Sequence, residues 1–125
     1  MKVVDIDHST PIQLNWLVAK VLGELQNPCY NDIEYWKNMH RIGSFRYSND
    51  WATGGKIVDQ MIQSGATFSK SDFGNGIKCY QIDGDSITFC SGPTTLIAAM
   101  RVFVLREMKC FNSSGCVIEV PDELA

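Results

Sequence analysis

The sequence predicts a single α+β domain with about three helices and a small antiparallel sheet. Three observations predict it: strand-like segments cluster instead of alternating with helices, a hairpin is legible over residues 77 to 90, and three segments read as helices, two by their periodicity and one as a capped, all-round apolar run. A chain of 125 residues with 45% hydrophobic content is also large enough for one core without crosslinks.

Met1 to Ile6 reads as a short strand, with Val3, Val4 and Ile6 apolar. A helix follows it. Thr10 is placed to cap, Pro11 to occupy the first helical position and Gln13 to complete a capping box. Leu14, Leu17, Val18, Val21 and Leu22 recur at helical spacing, and Gly23 is available to end the helix. Trp16 lies off that stripe, so it either wedges against a second element or lines a pocket.

From Asn27 to Phe45 the periodicity is poor, and Asn27-Pro28 and Asn31-Asp32 signal turns. The segment reads as a long aromatic connection with one helical turn near Ile33 to Met39. Its Tyr30, Tyr35, Trp36 and Phe45 either cover a ligand or partner or tuck the loop onto the core. Tyr47 to Asp50 is a polar turn leading through Trp51 into a second helix, expected from about Gly54 to Ser64 with Ile57, Val58, Met61 and Ile62 as its apolar face. Gly54 and Gly55 at that entrance would let another group approach the free N–H donors, although the spacing fits neither a P-loop nor a dinucleotide fingerprint.

Ala66 to Ser71 fits a strand and Asp72 to Gly76 a turn. In the hairpin that follows, a type II′ turn at Gly84-Asp85 would oppose Ile82 to Ile87, Tyr80 to Phe89 and Cys79 to Cys90, whereas a turn at Asp83-Gly84 would shift the pairs. Tyr80, Ile82, Ile87 and Phe89 then share one face. Beyond it, Thr94 or Thr95 caps a helix reaching Leu105 that is apolar on every side except at Arg101, the pattern of a central core helix. Asn112 to Gly115 reads as a loop and Val117 to Val120 as a last strand ended by Pro121.

Arg101 is the most informative residue, because a guanidinium stays charged and its burial costs several kcal/mol unless something meets it. The structural options are an internal carboxylate such as Asp50, Asp59 or Asp83, or an escape to the surface along its own stem. The functional option is an anion site, since helix side chains lean back toward the N-terminus and would carry Arg101 to the free N–H groups near Gly92, Thr94 and Thr95.

Eleven Lys and Arg against fourteen Asp and Glu give a formal charge of −3, and with no basic run this disfavours nucleic acid. No apolar stretch is long enough to span a membrane, and the N-terminus lacks the apolar core of a signal peptide, so a cytoplasmic protein is expected. Five cysteines without a C-x-x-C suggest reduced, mostly buried thiols, neither a disulfide framework nor a zinc site. His8 and His40 have no ligand spacing and no serine sits in a nucleophile elbow, so no metal, cofactor or catalytic residue is expected.

Three blocks together resemble the NinX-like proteins of tailed phages, a family of unknown function. They are Leu14-Asn15-Trp16-Leu17-Val18-Ala19-Lys20 with Gly23, Tyr47-Ser48-Asn49-Asp50-Trp51-Ala52 with Gly54-Gly55, and Gly92-Pro93-Thr94 through Leu96-Ile97-Ala98-Ala99-Met100-Arg101 with the Val117 to Leu124 tail. They keep their order across nearly the whole chain. The resemblance departs at Lys56 and Thr95, where relatives tend to carry proline, and finds no counterpart for the 30 to 46 and 66 to 89 regions. It implies a phage accessory protein in the cytoplasm of an infected bacterium, and it brings no catalytic residues.

Two binding functions follow as expectations. In the first, Gly54, Gly55, Gly92, Thr94, Thr95 and Arg101 hold the phosphate of a nucleotide-type host signal, with Tyr47, Asp50, Trp51 and Trp16 around its base, so that the protein sequesters a signal used in host defence. In the second, the aromatic 30 to 47 loop is the contact patch of an inhibitor or regulator that binds a host protein. A homo-oligomer is expected in either case, because two other helices are too few to cover the all-round apolar helix completely.

Overall fold

A computed structural model describes residues 1–70, 76–109 and 118–125. The chain folds as a single α+β domain in which four helices pack with two antiparallel sheets. β1 (Lys2–Val3) pairs with β5 (Glu119–Val120), while β2 (Thr67–Lys70), β3 (Ile77–Asp83) and β4 (Ser86–Gly92) form a sheet in the order β2-β3-β4. The helices are α1 (Pro11–Val21), α2 (Ile33–Arg41), α3 (Trp51–Gln63) and α4 (Thr95–Glu107). Most of the turn expected at 72–76, the loop at 112–115, Cys110, Cys116 and Val117 lie outside the described residues.

The N-terminal strand is shorter than its apolar run suggests. The Asp5 carboxylate accepts from the Asp7 N–H at 3.0 Å and turns the chain into a short 3-10 turn over Ile6–His8. Thr10 then caps α1 through the expected box: its hydroxyl accepts from the Gln13 N–H, and the Gln13 side chain accepts from the Thr10 N–H at 3.0 Å. Leu14, Leu17 and Val18 are buried, and Gly23, at φ +80°, follows the helix end in the left-handed region.

α4 is the central helix. It packs on α1, α3, β3 and β4, and Leu96, Ala98, Ala99, Met100, Val102, Val104 and Leu105 are all buried. Thr94 is its cap, accepting from the Ile97 N–H at 3.2 Å. Most of its apolar girdle is covered within the chain, and Ile97 and Phe103 are partly buried.

Two expectations need correction. Ile33–Arg41 is a full helix, capped by Asp32 through the Glu34 N–H at 3.0 Å, and not a single turn; its inward residues Ile33, Trp36, Lys37 and His40 recur at helical spacing, but only Ile33 and Trp36 among them are apolar. α3 begins at Trp51, three residues before the expected start, because Asp50 is its cap and accepts from the Ala52 N–H at 3.0 Å.

The hairpin has the register of a two-residue Gly84-Asp85 turn: Ile82 opposes Ile87, Tyr80 opposes Phe89 and Cys79 opposes Cys90. Gly84 is at φ +61° and Asp85 is not among the positive-φ residues, as a type II′ turn requires. The apolar face of this hairpin is turned to solvent. Ile82, Ile87 and Phe89 are 55%, 45% and 54% exposed, whereas Cys79, Gln81, Thr88, Cys90 and Gly92 lie buried on the α4 side. Small residues there let the helix approach closely: a Cβ on Gly92 would stand 2.8 Å from the Ala98 nitrogen.

Candidate functional site

The residues of the expected anion site fall into three places. At the first, Arg101 is 8% exposed and leans back toward the start of α4 as expected, but three of its five N–H groups donate to neutral acceptors. Nη1 donates to the Ser91 carbonyl at 2.8 Å, Nη2 to the Ser9 carbonyl at 3.0 Å and Nε to the Ser9 hydroxyl at 3.3 Å. Among the described residues no carboxylate lies within ion-pair distance of it. Asp83 instead holds Arg106 at 2.7 and 2.8 Å, which keeps the Asp83 carboxyl below the usual carboxylate range, and Asp50 caps α3. Arg101 therefore ties the end of β4 to the entry of α1. The Cys90 thiol next to it donates to Asp7 at 2.7 Å, and burial foremost, with that hydrogen bond, pushes its pKa up.

At the second place, Gly54 and Gly55 lie within the first turns of α3 and not at its entrance. The Gly54 N–H already donates to the Asp50 carbonyl at 2.8 Å, and a Cβ there would overlap the Tyr47 carbonyl and stand 3.1 Å from Leu96 Cδ2. The glycine thus serves a close approach of α3 to Tyr47 and to α4. Tyr47 is buried and donates to Glu24 at 2.5 Å, and desolvation foremost raises its pKa. Trp51 is 57% exposed at the first position of α3.

The third place holds residues of two of the three sequence blocks together. Asn15 is fully buried; its carbonyl oxygen accepts from the Ser48 N–H at 2.9 Å and the Ser48 hydroxyl at 2.7 Å, and its amide reaches Asn49 at 3.3 Å and His40 Nε2 at 2.9 Å. Burial first, and the nearby Arg46 charge second, hold the His40 pKa below its ordinary value, so the ring is the neutral acceptor this contact needs. The neighbouring Trp16 wedges into the core and also walls a cleft of about 260 Å³ with Leu25, Tyr30 and Ile33; both alternatives expected for it hold. Lys20 stands 5.5 Å from its ring centre.

The aromatic 30 to 47 region is largely packed inward. Trp36 is fully buried and stacks on Phe45 at 5.4 Å and on His40 at 5.2 Å, while Tyr30 meets Phe45 edge-on at 5.0 Å. Phe45 holds a φ of +62°, rare for a side chain of its size, between these rings.

What remains open is the outer face of the three-stranded sheet. Strand pairing sets Thr67 and Ser69 of β2 beside Lys78, Tyr80 and Ile82 of β3, then Ile87, Phe89 and Ser91 of β4. The centre of this face is apolar, its β2 side is hydroxylic, and among the described residues its one charge is Lys78, whose ammonium stands 5.1 Å from the centre of the Phe89 ring. The alternation of the hairpin revealed the shared face; nothing in it revealed that the face looks outward.

Among the described residues no group of His, Cys, Asp and Glu could hold a metal ion, and no helix is long and apolar enough to cross a membrane. Neither a protein-family model, nor a curated protein, nor a solved structure matches the chain.

Proposed function

We propose that this is a non-enzymatic phage accessory protein that works by docking a host protein on the outer face of its three-stranded sheet. The observation that carries this is the set of adjacent cross-strand pairs, Ile82 with Ile87 and Tyr80 with Phe89, holding apolar area at the surface. Such a patch with a polar border is what a protein contact uses, its aromatic member serving as anchor. The donors on which sequestration of a phosphorylated nucleotide would depend support the reading indirectly. Arg101 is engaged by Ser9 and Ser91, Thr94 and Asp50 cap their own helices, and Gly54 and Gly92 are filled by close packing. The phage setting rests on the resemblance of the three sequence blocks.

The test is capture from extracts of phage-infected cells with wild type and with an Ile87→Glu/Phe89→Glu double variant. Both side chains are about half exposed, so the variant should keep the circular dichroism and melting behaviour of wild type. The expected outcome is a host protein retained by wild type and lost by the variant. Equal retention by both would overturn the docking face. A rise of several degrees in wild-type melting temperature with a linear or cyclic nucleotide would restore the sequestration reading instead.

A further inference from the structure

Resting on the docking reading, we infer that the outer sheet face is self-complementary, and that before any host protein arrives it meets a second copy of this chain across a two-fold axis. The arrangement follows from where the charges stand relative to the apolar centre. The four apolar residues straddle the Gln81–Thr88 level of the hairpin: Ile82 and Ile87 stand one residue toward the turn, Tyr80 and Phe89 one residue away from it. Lys78 lies three residues from that level on one side, and the Gly84-Asp85 turn lies three to four residues from it on the other.

Two like faces can pack about a two-fold axis that runs along the strands or across them. An axis along the strands leaves the two Lys78 residues at the same level, near each other and without an acid. An axis across the strands reverses their direction. It sets the Ile82–Ile87 pair of one copy over the Tyr80–Phe89 pair of the other and brings Lys78 over the partner's Asp85 turn at both ends, about 20 Å apart at ~3.4 Å per residue. Of these two arrangements, the second alone pairs apolar with apolar and cation with anion at once. Asp85 is free for it: it is exposed, and the acidic neighbour Asp83 is held by Arg106 on the opposite face.

The area sets the strength. Three strands spaced ~4.8 Å apart and about 20 Å long offer on the order of 300 Å² per copy, well under the roughly 800 Å² per partner of a tight complex. The pair is therefore weak and concentration-dependent, which leaves the face available to a stronger protein partner.

Sedimentation equilibrium of the full chain tests this, from about 10 μM to about 1 mM, with Lys78→Glu, Asp85→Lys and the double exchange Lys78→Glu/Asp85→Lys. The expected result is a wild-type mass rising from one copy toward two, a dissociation constant raised about tenfold or more in each single variant, and recovery in the double exchange. Monomer mass throughout, or a double exchange as weak as the singles while all variants melt like wild type, would overturn the second copy. If host-protein capture is still lost in the Ile87→Glu/Phe89→Glu variant, only the self-pairing fails and the docking face stands. If capture is also unchanged, the face loses both roles.

Discussion

Arg101→Ala separates a structural arginine from a ligand-binding one. The side chain is 8% exposed and makes three hydrogen bonds, two of good length to the Ser91 and Ser9 carbonyls and a longer one to the Ser9 hydroxyl. A hydrogen bond involving a charged group contributes about 1.5–3 kcal/mol, and truncation would leave two carbonyls short of a donor as well as a void beside Ser9. The expected loss is about 3–5 kcal/mol, a fifth or more of the roughly 5–15 kcal/mol stability of an ordinary domain. At an m-value of ~1.5 kcal/mol/M the urea midpoint should fall by about 2–3 M. Arg101→Lys should be intermediate, because a point charge cannot serve two carbonyls and a hydroxyl in the fixed geometry of a guanidinium. Urea unfolding followed by circular dichroism at neutral pH provides the assay. An unfolding free energy for Arg101→Ala within about 1 kcal/mol of wild type would refute the reasoning, since the guanidinium would then be available for an external anion.

Gly54→Ala should destabilise by about 1–3 kcal/mol despite alanine's better helix propensity, because the new methyl group meets the Tyr47 carbonyl; an unchanged or higher melting temperature would contradict that close approach. Stability should also depend on His40. Its folded pKa lies below the ordinary 6.5, so the unfolded chain binds the proton first: the contribution is complete above pH 6.5 and is lost as pH falls from 6.5 through the folded value. Urea midpoints between pH 5 and 8 should show a decline on acidification that His40→Gln removes, and equal slopes for the two proteins would place the titration elsewhere.

Local signals were the legible part of this chain. Thr10, Pro11 and Gln13 announce the start of α1 because the capping box is made by neighbours in sequence, and Gly84-Asp85 sets the hairpin register because the turn dictates it. α2 is obscure in the sequence since its inward face, Ile33, Trp36, Lys37 and His40, mixes apolar with polar residues. α3 was placed late because Asp50 looks the same as a turn residue or as a cap until the chain geometry is known. The partners of Arg101 carry no sequence signal at all: two are backbone carbonyls, which every residue has, and none is a carboxylate such as Asp50, Asp59 or Asp83. The candidate docking face was half legible. Its membership follows from alternation and its orientation does not, since both faces of β3 and β4 hold residues that can be buried.

The inverted hairpin has a consequence for how the fold keeps one pairing. In most sheets a slip of one residue is forbidden because it would carry the apolar side chains into water. Here a slip of β4 along β3, turning it over, would do the reverse: it would carry Ile87 and Phe89 inward and release Thr88 and Cys90, so hydrophobic burial gives no protection. The register must be held by shape and by fixed points. Gly92 is one, because any other residue beneath Ala98 would collide with the helix backbone; the left-handed turn residue Gly84 is another, and the Asp83–Arg106 pair ties the hairpin tip to the end of α4 as a third.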